Sequence, residues 1–464
     1  MTVKQEKIFK TDSVWKAIAT MAVPAMVSMV VMILYNMADM FFVGRTGDNA
    51  QVASVSLVGP VFTIIMAVGS MLGGGGCALI AKTLGGGDKD AVRLYSSLCC
   101  WGGLAFGALL AVFGVLLRNP LLRFLGANDE IWGYAQTYLT VLLLGAPVMI
   151  FCSAFGNILR SEGAVKEAML GNLISTVTNI ILDPLFILTL GWGVGGAAIA
   201  TVLGNAAGGA YFIWYVTTHE TALTLSPRYA LRQPLAIGRV VSIGLPNATS
   251  SLLVGFANAF VNQLLVQYGT VAVAAMAAAG KTTMVISMIQ MGLCLGVQPL
   301  MAYSYGAHDL PRLRETILKL SALTIVIGGS ITLLCLLNGR TVVALFLKDA
   351  AALELGRRMI SLLVIAGPFL GLFYIGSNFL QASGNAPLAT FVSLLRQGIF
   401  LIPLLYVMNH FFGVTGNIMA HIVADIAAAL VSVLLALRQY RILSRKVAPR
   451  CTDASLALSR KKGC

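Results

Sequence analysis

The sequence is poor in charged residues and lacks the motifs of the common enzyme classes. Charged residues make up 11% of the chain, whereas about a quarter of a typical soluble protein is charged. The chain contains no Walker-type phosphate loop, no HExxH and no nucleophile elbow, which argues against ATP hydrolysis, zinc proteolysis and serine hydrolase chemistry. Strand-length segments of alternating polarity are missing too, so a β-barrel is not expected.

Cysteine and histidine are also sparse. The eight cysteines form no CxxC pair and six of them lie in apolar stretches, so they are expected to be small hydrophobic residues rather than disulfides or metal ligands. The four histidines are scattered. No signal peptide is expected, because the first residues are charged and polar and the apolar stretch that follows is too long. The sequence therefore predicts neither an enzyme nor a cofactor.

Long apolar stretches are abundant instead. Hydrophobic residues make up 58% of the chain and the mean hydropathy is +0.85. Twelve stretches are long enough for a helix to cross about 30 Å of hydrocarbon. They cover residues 15–42, 51–81, 94–117, 132–159, 167–190, 194–217, 237–267, 271–303, 316–337, 356–381, 388–409 and 414–437.

The second half of the chain repeats the first. A shift of 220 to 222 residues superimposes prolines, asparagines and glycines of the two halves, which indicates a duplicated unit. We therefore predict an all-α integral membrane protein with twelve transmembrane helices in two pseudo-symmetric six-helix bundles around a central cavity, an architecture of transporters. The pairs are Pro24 and Pro246, Asn36 and Asn258, Gly47 and Gly269, Pro147 and Pro368, Asn157 and Asn378, Gly163 and Gly384, Gly193 and Gly413, and Gly196 and Gly416.

The basic residues predict the orientation and the division of the chain. We expect an amino-terminal lobe at residues 1–225, a carboxy-terminal lobe at 226–440 and a basic tail at 441–464. Of the 32 Lys and Arg residues, 23 lie on the side of the termini and 7 on the opposite side. This asymmetry predicts a multi-pass protein of the cell membrane with both termini in the cytoplasm. It also accounts for the net charge of +14 without nucleic-acid binding.

Two carboxylates within the apolar stretches of the first half indicate an ion site. Asp39 follows Asn36 by three residues on one helix face, and Pro24 in the same helix is a candidate hinge. Asp183 lies four residues after Asn179, one turn away. A carboxylate removed from water is costly unless it takes up a proton or a cation. Alternatively, Asp39 is solvated at a helix end and Asp183 is a structural group bonded to its neighbours.

Helix 6 adds Thr201 and Asn205 to this set, again one turn apart. Asp, Asn and Thr side chains offer only oxygen ligands of the kind that Na⁺ or a hydrated proton accepts, and soft metals are unsuitable. Neither aspartate has a counterpart in the second half, since Asp39 aligns with Val261 and Asp183 with the apolar stretch around Pro403 and Leu404. This asymmetry places the predicted cation site in the amino-terminal lobe.

The second half carries charges of its own. Arg396 on helix 11 and Asp425 on helix 12 are predicted to pair, either as a structural salt bridge or as part of a second polar site. Lys281 lies within helix 8 and either lines the cavity or reaches toward a headgroup.

At these residues the chain resembles the MATE (multidrug and toxic compound extrusion) family over roughly residues 12–440. The resemblance rests on the duplicated layout, on Pro24 and on five segments of the sequence. It implies two six-helix lobes, a V-shaped outward-open state and cation-coupled efflux. The segments are Pro24 followed by YNMADMFFVGR, the pair NILRSEG and NFLQASGN, and TNIILDP followed by GVGGAAIAT.

The resemblance also implies which residues couple the ion. In the branch of the family with carboxylates in the amino-terminal lobe, the matching positions are Asp39, Asn179, Asp183 and Thr201. We add Asn36, Asn157 and Asn205 as predicted supporting residues. A second branch also has acids on helices 7 and 10. Both helices lack an acid here, which favours the amino-lobe branch.

The predicted function is secondary active export of amphipathic or cationic small molecules in exchange for H⁺ or Na⁺. The same residues suit either ion, and no cofactor is needed. The expected partners are these substrates and membrane lipids, and the expected state is a monomer. One alternative is a flippase for a lipid-linked saccharide, which should have a strongly cationic cavity, whereas only Lys281 and Arg396 lie within the helices. The other is a channel or passive scaffold, which would not explain carboxylates confined to one repeat.

Overall fold

The structure is a computed structural model that describes residues 3–45, 48–344 and 350–461. Within these ranges the side chains of 3–5, 36–40, 270, 342, 350–351 and 446–461 are not described. Every regular element in the described part of the chain is helical. The helical structure confirms the predicted all-α fold class. It is the expected structure in lipid, where a helix satisfies the polar groups of its own backbone.

Six membrane helices form each lobe, numbered here α1 to α12. Those of the amino-terminal lobe are α1 (Val14–Gly44), α2 (Asn49–Gly85), α3 (Lys89–Leu116), α4 (Asp129–Ser161), α5 (Val165–Pro184, continued by a π-helical segment, Leu185–Thr189) and α6 (Gly193–Thr218). Those of the carboxy-terminal lobe begin with α7 (Ile237–Val266), α8 (Thr270–Gly306), α9 (Leu310–Leu337) and α10 (Ala350–Leu363, a 3₁₀ turn at Val364–Ala366, and Gly367–Ser383). The last two helices are α11 and α12. Helix α11 starts as Ala386–Leu394 and continues as a π-helical segment, Leu395–Leu401. The helical range that follows, Ile402–Lys461, contains the end of α11 and all of α12.

The duplication predicted from the sequence recurs in the helix bounds. Helices α2 and α8 are both 37 residues long and begin 221 residues apart, and α3 and α9 are both 28 residues long with the same offset. Asp88 and Asp309 each cap the helix that follows, accepting a backbone N–H through the side chain. The repeat therefore extends from proline and glycine positions to helix lengths and caps.

A break at Gly413 separates α11 from α12. By length and hydropathy the described residues contain 11 candidate spans, because residues 386–445 form one continuous range. Gly413 inside that range has a φ of 58°, and Gly193, its counterpart in the repeat, has a φ of 54° at the start of α6. Positive φ is readily adopted only by glycine and interrupts a helix. Each lobe thus starts its sixth helix at such a glycine, and the range holds two crossings, which gives the predicted twelve.

The two lobes contact each other through α1 and α2 on one side and α7 and α8 on the other. We call the membrane face at which α1 begins the terminal face. Near this face the Lys82 ammonium at the end of α2 donates to the Ser383 carbonyl of α10 over 2.8 Å. Gly75 of α2 packs directly against the Val240 carbonyl of α7. The lobes are therefore in close contact near the terminal face.

The connection between the lobes lies along the amino-terminal lobe. It runs from residue 219 to 236 and includes a short helix, Pro227–Arg232. The Ser97 hydroxyl of α3 donates to the Ser226 carbonyl over 2.6 Å and accepts from the Ala230 N–H at 3.1 Å. The Trp101 indole donates to the Leu225 carbonyl over 2.9 Å. These bonds fix most of the connection to α3.

Candidate cation-coupling site

The candidate site is formed where α5 and α6 pack closely. Gly204 of α6 faces α5, and a Cβ at this position would lie 2.6 Å from the Ser175 carbonyl and 3.0 Å from the Asn179 Cβ. The missing side chain lets the two helices approach each other, as small residues do at membrane helix contacts. The close approach brings Asn179 and Asp183 of α5 next to Thr201 of α6.

Three of the predicted residues form one hydrogen-bonded group. The Asn179 amide nitrogen donates to the Asp183 Oδ1 over 3.3 Å and to the Thr201 hydroxyl over 3.5 Å. The Tyr35 hydroxyl of α1 lies 3.4 Å from the Thr201 hydroxyl. Helices α1, α5 and α6 therefore meet at a cluster of oxygen-bearing side chains.

The group is buried in the interior of the lobe. Asp183 is 0% exposed, and Asn179 and Thr201 are each 2% exposed. Asp183 lies six residues before Thr189, the last residue of the π-helical segment, roughly 9 Å along the helix axis. A carboxylate sealed from water at this depth needs a proton, a cation or hydrogen-bond donors to offset its desolvation.

The group also offers an acceptor. The buried Asn179 Oδ1 has no hydrogen-bond partner among the described residues. Together with the Asp183 carboxyl and the Thr201 hydroxyl it provides the all-oxygen chemistry that a small hard cation or a hydrated proton accepts. No group of three or more His, Cys, Asp or Glu side chains suited to a metal ion occurs in the described ranges, so a transition-metal site is not indicated there.

The predicted residues of α1 are only partly described. Asn36 and Asp39 belong to α1 by their backbone, but their side chains are outside the described part of the chain. Pro24 lies inside α1, and its carbonyl accepts the Ser28 hydroxyl at 3.0 Å. Tyr35, four residues before Asp39, was missed by the sequence analysis. The sequence feature that could have indicated Tyr35 is its position one helical turn before Asp39 in the YNMAD segment.

Two of the predicted supporting residues are engaged elsewhere. The Asn205 amide donates to the Thr201 carbonyl over 2.9 Å, so it bonds to its own helix backbone. The Asn157 amide donates to the Ser153 carbonyl over 2.9 Å, and its oxygen accepts from Arg160 at 3.3 Å. Asn157 is four residues from the terminal-face end of α4, whereas Asp183 is near the other face. The structure therefore does not bring Asn157 to the candidate site.

In the carboxy-terminal lobe, Arg396 and Asp425 lie together. The Arg396 Nε donates to the Asp425 Oδ1 over 2.7 Å, and both side chains are largely buried. The guanidinium also lies over the rings of Phe373 and Tyr374, 5.2 Å and 5.8 Å from their centroids. The aromatic faces and the carboxylate together stabilise a buried cation. Lys281 is exposed on α8.

Two buried residues with ionisable side chains at the terminal face were also missed. Glu162, which directly follows α4, is 0% exposed, and Arg160 is 4% exposed. One Glu162 oxygen accepts from the Ala222 N–H of the connection at 3.1 Å, and the other has no partner among the described residues. Burial raises the pKa of Glu162 to about 7, although the hydrogen bond from Ala222 acts in the opposite direction.

Similar proteins agree with this fold over nearly the whole chain. A multidrug export protein, MepA of Staphylococcus saprophyticus, is 30% identical over 428 residues, which cover 92% of this chain and 94% of that protein. A solved structure of the outward-facing conformation of a multidrug resistance MATE family transporter is 26% identical, with a TM-score of 0.90 over 96% of this chain and 100% of that one. A structure of MATE in the bent conformation is 25% identical, with a TM-score of 0.90, covering 97% and 100%.

Twelve helices in two repeated lobes are the architecture of a two-lobed membrane transporter. The MatE family model matches the chain twice, over residues 24–185 and 246–407, and the two matches begin at Pro24 and Pro246. The chain belongs to the MATE family, which confirms the resemblance seen in the sequence. Members of this family are transporters rather than enzymes.

Proposed function

We propose that the protein is a secondary active antiporter that exports amphipathic or cationic small molecules in exchange for H⁺ or Na⁺. The observation that carries the proposal is the buried Asp183 carboxyl, bonded to Asn179 and close to Thr201, in a member of the MATE family. The similarity to a multidrug export protein supports the substrate class. The excess of basic residues beside the termini supports a cytoplasmic terminal face in the cell membrane.

In this proposal a cation exchanges for substrate through alternating access. A proton or Na⁺ that reaches the group around Asp183 removes the cost of its buried charge. Because the ion and the substrate stabilise different states or compete for one site, binding of one releases the other. Asp39, which the family resemblance assigns to the same site, would share the ion from α1.

Helix α1 is the proposed moving element. Pro24 has no N–H, so the Thr20 carbonyl lacks its usual helical donor and the helix bends more easily there. Tyr35 on the same helix is within hydrogen-bond distance of Thr201, so bending at Pro24 would alter the site. Structures of MATE in a bent and in a straight conformation, 25% and 26% identical to this chain, support the existence of two conformations.

The proposal is tested by dye efflux from liposomes that contain the purified protein, with pH and sodium gradients imposed separately. We expect one gradient to drive efflux and Asp183→Asn to abolish that dependence, because the amide neither binds nor releases a proton and attracts Na⁺ weakly. The matched control is Asp129→Asn, an exposed aspartate at the start of α4, which should retain efflux. Full ion-driven efflux by Asp183→Asn would remove this residue from the mechanism.

A further inference from the structure

A cavity of about 370 Å³ lies on the terminal face, where an amino-terminal helix, Val3–Lys10, meets both lobes. It is lined by the end of this helix, the end of α2, the end of α8 and the start of α9. Its polar side chains include Lys10, Ser304, Asp309 and Arg312. It lies on the opposite side of the molecule from the candidate cation site and plays no part in the proposed transport mechanism.

Ser304 contributes a buried hydroxyl without a protein partner. The residue is 1% exposed, and its Oγ makes no hydrogen bond to any described residue. A serine within a helix usually bonds back to a carbonyl in the preceding turn, as Ser28 does to Pro24. Leaving a buried hydroxyl without a partner costs about 1–3 kcal/mol, so a ligand oxygen at this position would relieve that cost.

Arg312 contributes a buried donor. Its two terminal nitrogens donate to the Asp12 and Ile8 carbonyls over 3.1 Å and 2.8 Å, which fixes the amino-terminal helix to α9. Its Nε is buried and has no partner among the described residues. Within the described part of the chain Arg312 makes no ion pair. Since a guanidinium nitrogen can only donate, the group that completes this site must be an acceptor.

The remaining charges favour an anion. Lys10 pairs with Glu6 at 2.6 Å, but both side chains are more than half exposed, so this pair is weak and easily exchanged. Asp309 is the acid in the lining. Its Oδ1 already caps α9, because it accepts the backbone N–H of Arg312 at 3.0 Å. Two cations and a buried hydroxyl thus line the cavity together with one carboxylate, and one oxygen of that carboxylate caps α9.

We propose that this cavity binds an anionic phosphate group. On binding, the Arg312 and Ser304 side chains turn toward its oxygens, to which the Nε and the hydroxyl then donate, and the Lys10 ammonium supplies the second positive charge. The phosphate is either the headgroup of an anionic lipid or a soluble phosphate, because both present the same oxygens. Bound there, it joins the amino-terminal helix and α2 to α8 and α9, and so stabilises contact between the lobes at the terminal face.

The first test measures unfolding of the purified full-length protein in detergent, with inorganic phosphate replacing chloride at constant ionic strength. We expect phosphate to raise the Tm of the wild type, and Ser304→Ala to weaken apparent phosphate affinity roughly tenfold or more. Without phosphate, Ser304→Ala should be as stable as the wild type or more stable, since it removes a buried unpartnered hydroxyl. Loss of the response therefore does not reflect misfolding.

Matched lysine variants and a lipid arm complete the test. Lys10→Gln should weaken the phosphate response, whereas Lys7→Gln, an exposed lysine of the same helix outside the cavity, should keep it. If the phosphate belongs to a lipid, phosphatidylglycerol in nanodiscs should raise the Tm of the wild type above its value in phosphatidylcholine alone. The Tm of Ser304→Ala should not rise. A response only to inorganic phosphate supports a soluble source. Equal responses of the wild type and Ser304→Ala in both arms overturn the proposal.

Discussion

Glu162 should make the stability of the protein fall as the pH rises. Its carboxyl is fully buried at the end of α4, where the negative end of the helix dipole also disfavours a negative charge. Burial raises the pKa from 4.5 to about 7. The folded protein therefore binds the Glu162 proton more tightly than the unfolded chain, so stability from this group is complete below pH 4.5 and is lost between pH 4.5 and 7.

The size of this effect follows from the pKa difference. At about 1.4 kcal/mol for each pKa unit, the free energy of unfolding should fall by about 3 kcal/mol across that pH window. Glu162→Gln keeps the acceptor for the Ala222 N–H but cannot ionise. We expect the variant to lose this part of the pH dependence and to be more stable than the wild type at pH 8, after a cost of about 1 kcal/mol for a buried amide donor.

The assay is denaturant unfolding of the purified protein in detergent at pH 5, 6, 7 and 8, followed by tryptophan fluorescence. Glu220→Gln is the matched control, because Glu220 is an exposed glutamate of the same connection, and it should follow the wild type at every pH. Parallel pH profiles for the wild type and Glu162→Gln would refute the reasoning, since they would mean that Glu162 ionises alike in the folded and unfolded states.

Two further predictions concern packing and charge. Gly75→Ala should destabilise the protein by about 1–3 kcal/mol in the same unfolding assay, because its Cβ would overlap the Val240 carbonyl. Gly59→Ala is the control, since Gly59 on the same helix faces open space, and it should be tolerated. Equal effects of the two variants would contradict the close packing of α2 and α7. Arg396→Gln should lower the free energy of unfolding by about 3–5 kcal/mol, because it leaves Asp425 unpaired. The double variant with Asp425→Asn should recover most of that stability. A double variant no more stable than Arg396→Gln would show that the loss of the pairing is not the cause.

The sequence predicted the helices and the repeat well because both have strong local signals. Apolar length defines a membrane helix, and a constant offset of prolines and glycines defines a duplication. The same logic held at Gly193 and Gly413, where the repeat pairs two glycines and the structure gives both a positive φ. The predicted boundaries were less accurate; α8, for example, extends three residues beyond the predicted end.

Within the candidate site, predictability depended on whether residues share a helix. Asn179 and Asp183 are one turn apart on α5, so their contact followed from spacing alone. The same spacing on α6 led to the prediction that Asn205 supports the site. In the structure its amide bonds to the carbonyl of Thr201 on its own helix, as asparagines in helices can. Tyr35 reaches Thr201 only through the packing of α1 on the other helices, which local spacing does not reveal.

Burial near the ends of helices was not predictable either. Arg160 and Glu162 have the sequence pattern of an ordinary charged loop, and such residues are usually exposed. Glu162 is covered by the connection between the lobes, as the Ala222 hydrogen bond shows. This contact joins residues 60 positions apart, and periodicity over a few turns carries no information about it.

The hydrogen bonds that hold the connection on α3 leave only a short free segment of chain between the lobes. The short helix ends at Arg232 and α7 begins at Ile237, so four residues carry the chain from one body to the other. Fully extended, the five Cα–Cα steps from Arg232 to Ile237 span about 18 Å. While residues 219–232 stay bonded to α3, the first residue of α7 can therefore lie no farther than this from Arg232. A larger opening at the terminal face must first break the hydrogen bonds of Ser97 and Trp101.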